Sequence, residues 1–170
     1  MIRRGIDRGA EPSGGRSSAP RSRLTAIMCA LLAGAATAGP TRAAEALATF
    51  AVEKDAIVAP LAGTPGDAAR GRSLVLARDP ANCVLCHAVP DPDARFAGDV
   101  GPSLAGVGTR LTPAQLRLRI VDSTRLDPQS VMPSYYRTDG LSGVAPAYRG
   151  KPILTAQQVE DLVAYLAQLR

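Results

Sequence analysis

The most regular alternation of apolar and polar residues lies near the C-terminal end of the chain. Val159, Leu162, Val163, Leu166 and Leu169 recur at spacings of three and four, which places them on one stripe of a helix. Thr155 precedes the stripe as N-cap and Gln158 stands three residues on, the two halves of a capping box. The same signature opens a second helix: Thr112 at the cap, Pro113 at the first helical position and Gln115 at the third, in front of LRLRIV. A third helix is predicted to begin after Gly66, with Asp67 as N-cap to AARGRSLVLAR. It should stop near Asp79-Pro80, because the residue before a proline avoids the α region. Strand alternation of comparable strength is nowhere visible. The pattern predicts an all-α domain over residues 67–170, three or so helices joined by long loops at 89–109 and 127–133 and an irregular stretch to Leu154. Residues 45–66, weakly periodic and proline-bearing, read as an extended lead-in.

The first forty-odd residues have a different character. Six arginines between Arg3 and Arg23 lie in a Gly/Ser/Pro-rich setting, followed by the uncharged run LTAIMCALLAGAATA at 24–38. That run is too short to span a bilayer comfortably and ends in small residues. Ala36-Thr37-Ala38 and Ala44-Glu45-Ala46 both offer an A-x-A cleavage site, so residues 1–44 are predicted to be an export signal cut somewhere between 38 and 46. A short uncut anchor is the other reading of the same run, and Cys29 within it has no assigned role.

Removing this leader changes the electrostatics. Residues 1–44 carry seven of the 20 basic residues and two of the 15 acidic ones, which leaves thirteen of each. The high isoelectric point therefore belongs to the leader, and nucleic-acid binding loses its driving force. Of the 3 cysteines only Cys83 and Cys86 remain, too few for a secreted disulfide scaffold.

Long loops are uncommon in a compact domain. With 4% aromatic residues and no tryptophan, the side chains supply few large pieces for a core. Something else should fill the centre, and ANCVLCHAVP at 81–90 says what. It places Cys83, Cys86 and the chain's sole histidine, His87, as C-x-x-C-H. Both thiols of that motif reach one edge of a haem and attach as thioethers, while the adjacent imidazole approaches the iron. Zinc would need a fourth ligand from a carboxylate. A redox dithiol would sit at the head of a helix in a βαβ unit, which this pattern lacks.

The sixth iron position is argued by elimination. No second histidine exists, and beyond the leader the only methionine is Met132, in VMPSYYR. Pro133 keeps Met132 extended, suited to a loop that presents a thioether. Lys54 and Lys151 are the competing nitrogen ligands, and Met132 as a flexible core filler is the bland reading. A His/Met iron has no position open to substrate, so electron transfer is expected rather than chemistry at the metal.

These features resemble a class I cytochrome c, a fold of helices and long loops packed around one covalently bound haem. GPSLAG at 101–106 is similar to that family's loop beside the proximal histidine. The resemblance implies that Gly101, Pro102 and Leu104 belong to the haem environment and that a nearby carbonyl accepts the Nδ1 proton of His87. The segments GDAARGRSLV, NCVLCH, GDVGPSLAGVG, LRLRIVD, MPSYYRTDGL and YRGKPILTAQQVEDLVAYL resemble, more closely, the X subunit of the Sox AX cytochrome complexes of thiosulfate oxidation.

That resemblance implies a periplasmic heterodimer of the L-cysteine S-thiosulfotransferase type. The Sox A-type cytochrome subunit would bear the catalytic cysteine and join thiosulfate to a thiol of a sulfur-carrier protein. The released electrons would leave through this chain to a small acceptor cytochrome. Arg137 is expected to pair with a haem propionate, and Tyr135 and Tyr136 to line the haem edge or the partner surface. A free-standing periplasmic electron carrier is the alternative.

Overall fold

The computed structural model describes residues 47–170. The predicted export signal, its cleavage points up to Ala46 and Cys29 lie outside the described residues. Helix α1 spans Ala68–Leu76, the single-turn α2 Val107–Arg110, α3 Pro113–Asp122 and α4 Ala156–Leu166. Short 3-10 turns stand at Cys83–Leu85, Ser123–Arg125 and Pro146–Tyr148. Among the described residues there is no strand beyond an isolated bridge between Glu53 and Ala56, and no helix is long and apolar enough to cross a membrane.

Each predicted cap is in place. The Asp67 carboxylate accepts from the Arg70 backbone N–H at 2.8 Å, and Thr112–Gln115 and Thr155–Gln158 form complete capping boxes. Helix α1 ends three residues before the expected stop, since Ala77 is already extended. Ahead of α2, Gly106 in the left-handed region offers no side-chain cap, so the sequence held no start signal there.

Helices α1 and α4 cross in close contact. A Cβ on Gly71 would overlap the Asp161 carbonyl, and one on Gly66 would overlap that of Glu160, so glycine at both positions lets the backbones approach. Asp161 fixes the crossing chemically. Its carboxylate takes Arg70 Nε and Nη2 at 2.7 and 2.8 Å and the Asp67 N–H at 2.8 Å. Burial pushes this carboxyl up, but the bonds from Arg70, Asp67 and Gln157 outweigh it and hold the group below its usual range.

Helix α3 joins α4 through a buried ion pair. Arg117 donates Nε and Nη2 to Glu160 at 2.7 and 2.8 Å, with both side chains 6% exposed. The remaining valences reach the lead-in: Arg117 Nη1 donates to the Ile57 carbonyl at 2.6 Å, and Glu160 accepts from the Leu61 N–H at 2.8 Å. The lead-in has no helix, turns at Lys54 between the bridged Glu53 and Ala56, and belongs to the packed domain. Ile57 is fully buried, and Phe50 lies 6.4 Å from the Tyr136 ring, centroid to centroid. Val159, Leu162, Val163 and Leu166 of the predicted stripe join Val75, Leu118, Val121 and Leu154 in one core, with Leu169 packed at its margin. On the far side of that core, α3 and the loops leave a cleft.

Candidate haem site

The C-x-x-C-H segment is wound by its own backbone. Asn82 turns it from the left-handed region (φ 52°), and the N–H groups of Cys86 and His87 both donate to the Cys83 carbonyl, at 3.2 and 3.0 Å. The loop that follows is stitched alongside. Gly98 donates to the Val84 carbonyl at 2.8 Å, Gly101 to Cys86 at 2.7 Å and Leu104 to Ala88 at 2.9 Å. This pairing carries Pro102 over the histidine, and the Pro102 carbonyl lies 2.7 Å from His87 Nδ1. A carbonyl only accepts, so Nδ1 carries the proton and the Nε2 lone pair is left for a metal. Gly101 permits the arrangement, because a Cβ there would strike the imidazole at Cε1, Nδ1 and Nε2.

Cys83, Cys86, His87, Gly101, Pro102, Leu104 and Met132 all face one open cleft of about 650 Å³. Its far wall is apolar: Val107 from α2, Leu116 and Ile120, one helical turn apart on α3, and Leu166 from α4. Tyr135 closes one end, its hydroxyl donating to the Ala81 carbonyl at 2.6 Å and its N–H to that of Ile120 at 3.2 Å. Burial raises the tyrosine well above its ordinary value, so the phenol stays neutral.

The thiols discriminate among the chemistries. Cys83 and Cys86 are both free, and burial pushes the Cys83 thiol up to about 11. A redox dithiol needs the opposite, a thiol lowered towards neutrality. Among the described residues no three His, Cys, Asp or Glu groups converge as metal ligands. What the residues suit is a flat apolar group attached along one edge by thioethers, with an imidazole held beneath it.

Comparison with known proteins gives the same answer. A family model described as cytochrome c matches residues 68–170. The chain belongs to the cytochrome c family. No curated protein matches it. Among solved structures it is similar to a chain of the crystal structure of SoxXA from P. pantotrophus, with 35% identity and a TM-score of 0.66 over 71% of this chain and 93% of that one. The cytochrome is thus of the X type that MPSYYRT and YRGKPIL suggested, with haem c attached at the C-x-x-C-H segment.

Two expected contacts fall elsewhere in this cytochrome. Arg137 does not line the cleft; its Nη1 donates to Asp122 Oδ2 and Thr124 Oγ1, both at 3.0 Å. The cationic side chains on the cleft wall are Arg110 and Arg119 instead. Arg110 braces the proximal loop by donating to the Ser103 and Ala105 carbonyls. Tyr136 turns away from the cleft, its hydroxyl accepting from the Ala48 N–H at 2.8 Å. The two neighbours separate although their N–H groups dock on consecutive carbonyls at the end of α3, Tyr135 on Ile120 and Tyr136 on Val121 at 3.2 and 3.3 Å. Of the competing lysines, Lys151 lines a separate pocket of about 240 Å³ with Arg137 and Tyr148, and Lys54 lies in the lead-in, away from the cleft.

Sequence reasoning missed the polar neck of the Met132 loop. Asp122, Ser123, Ser130 and Ser134 carry no motif, and only the fold brings them together. For Leu116 and Ile120 the signal was present, as i, i+4 apolar residues on α3.

Proposed function

We propose that this cytochrome is the electron-accepting X-type subunit of a periplasmic L-cysteine S-thiosulfotransferase, paired with an A-type cytochrome subunit. The observation that carries the reading is the 35% identity over 93% of a SoxXA chain, joined to a cleft that Met132 lines together with Cys83, Cys86 and His87. When bound, the haem supplies a one-electron ferric/ferrous couple.

The chain's own residues keep that couple free of side chemistry. His87, oriented by the Pro102 carbonyl, and Met132 would hold the iron, and with both bound no position would be open to thiosulfate. Leu116, Ile120, Val107 and Leu166 would set an apolar wall against the haem, which favours the less charged, reduced state. Thiosulfate is joined to the carrier-protein thiol on the partner, the two electrons leave one at a time through this subunit, and a small acceptor cytochrome takes them up. Export follows from the leader at residues 1–44, removed between 38 and 46.

The test is capture of the tagged full chain from periplasm, with haem staining of what co-purifies. An A-type haem protein in near-equal amount supports the reading. Recovery of the cytochrome alone, competent to exchange electrons with small cytochromes, makes it a free-standing carrier.

A further inference from the structure

Met132 packs against the core, but the loop that carries it has little other apolar attachment. Val131 beside it is 82% exposed, and Pro133 after it has no N–H to donate. The loop leaves α3 at Ser123 and returns at Ser134, and its hold on the domain is polar. Ser123 Oγ donates to the Met132 carbonyl at 3.1 Å, Met132 N–H donates to Ser130 Oγ at 3.3 Å, and the two hydroxyls lie 3.0 Å apart. The backbone of Met132 is therefore clamped on both sides by serines.

Below this clamp sits Asp122, the last residue of α3 and 1% exposed. Its Oδ1 accepts from Ser134 Oγ at 2.7 Å and from Thr124 Oγ1 at 2.5 Å, and its Oδ2 from Arg137 Nη1 at 3.0 Å. A buried carboxylate with charge-assisted bonds to both ends of a loop closes it far more firmly than neutral pairs would. It also explains where Arg137 points: the guanidinium neutralises Asp122 and is not part of the cleft.

We propose that Asp122 is the positioning residue for Met132, closing the neck of the loop with Ser134 and Arg137 while Ser123 and Ser130 set the methionine backbone. The network fixes how firmly the thioether is held, and so how readily an outside ligand takes the sixth position. The inference rests on the assignment of Met132 as distal ligand, and the test separates the two.

The experiment uses ferric holoprotein and imidazole as the competing ligand. Met132→Ala, which vacates the position, sets the upper limit of imidazole affinity. Asp122→Asn is expected to bind imidazole about tenfold or more tightly than wild type, the scale of one charge-assisted bond lost, and to weaken the far-red charge-transfer band. Glu160→Gln breaks a buried pair remote from the loop and should lower thermal stability with imidazole affinity unchanged. If Asp122→Asn yields no holoprotein, Ser123→Ala is used, with an expected gain in affinity of about fivefold. Affinity within twofold of wild type for the clamp variants, beside a large rise for Met132→Ala, overturns the positioning role alone. No rise for Met132→Ala overturns the ligand assignment, and the inference with it. An equal rise in Glu160→Gln means the effect is general destabilisation and also refutes the role of Asp122.

Discussion

Gly101→Ala probes the proximal side of the cleft with a single methyl group. The added Cβ would stand 2.7 Å from His87 Nδ1 and 2.9 Å from Nε2, and closer still to Cε1. Carbon atoms in ordinary contact sit about 3.5–4.0 Å apart, so the ring or the loop must give by on the order of 1 Å. Neither is free to do so. The loop is tied by the Gly101 N–H to the Cys86 carbonyl at 2.7 Å, and the ring by Nδ1 to the Pro102 carbonyl at 2.7 Å. A shift of that size stretches the second bond past about 3.5 Å, where it is lost. Overpacking costs about 1–3 kcal/mol and the lost bond about 1 kcal/mol, against a gain of about 0.4–1 kcal/mol from removing a glycine from the unfolded chain. The net expectation is a loss of about 1–3.5 kcal/mol, centred near 2. In guanidinium unfolding of the holoprotein this lowers the midpoint by roughly 0.5–1 M. Gly63→Ala, where the new Cβ meets nothing within 4 Å, should stay within about 0.5 kcal/mol of wild type. Equal midpoints for the two variants would refute the close packing of Gly101 on the histidine.

Met132→His should abolish the far-red band and lower the reduction potential, because imidazole replaces the softer thioether; an unchanged spectrum and potential would mean another group fills the sixth position. Asp161 and Asp91 both titrate below the usual carboxylate range in the folded chain, Asp91 through its bonds from Arg72. A depressed folded value means that their stabilisation is complete above about pH 4 and disappears as pH falls through the folded values. The guanidinium midpoint should therefore drop as pH falls below about 4, and Asp161→Asn should flatten part of that drop; a flat profile in the wild type would contradict the pairing. Glu160→Ala leaves Arg117 buried without a counter-ion and should cost about 3–5 kcal/mol by the same unfolding assay, whereas a loss under 1 kcal/mol would mean the pair is not desolvated in solution.

Much of this cytochrome was legible before its coordinates because its signals are local. Capping boxes at Thr112 and Thr155 and the stripe from Val159 to Leu166 are short-range patterns, and each became a helix with those caps. Cys83, Cys86 and His87 are adjacent in sequence, so their convergence on one cleft needed no tertiary knowledge. What the sequence concealed depends on distant partners. Arg137 looked like a propionate ligand because it follows the distal loop, but only the fold reveals Asp122 waiting for it fifteen residues upstream. Tyr135 and Tyr136 look alike on paper, and only their partners in the fold separate them, the Ala81 carbonyl beside the cleft for one and the Ala48 N–H of the lead-in for the other. The lead-in itself is only weakly periodic, yet Ile57 is wholly buried because Arg117 and Glu160 hold the backbone around it.

The central claim is that this chain takes up electrons released on a partner and does no sulfur chemistry itself. The most direct measurement mixes purified holoprotein with an A-type subunit and a carrier-protein thiol, adds thiosulfate, and follows haem reduction at the Soret and α bands in a stopped-flow cell. Reduction of this cytochrome is expected only when all three partners are present, with no thiosulfate consumed by the chain alone. Thiosulfate oxidation at full rate by the isolated chain, or no reduction in the complete mixture, would contradict the assignment.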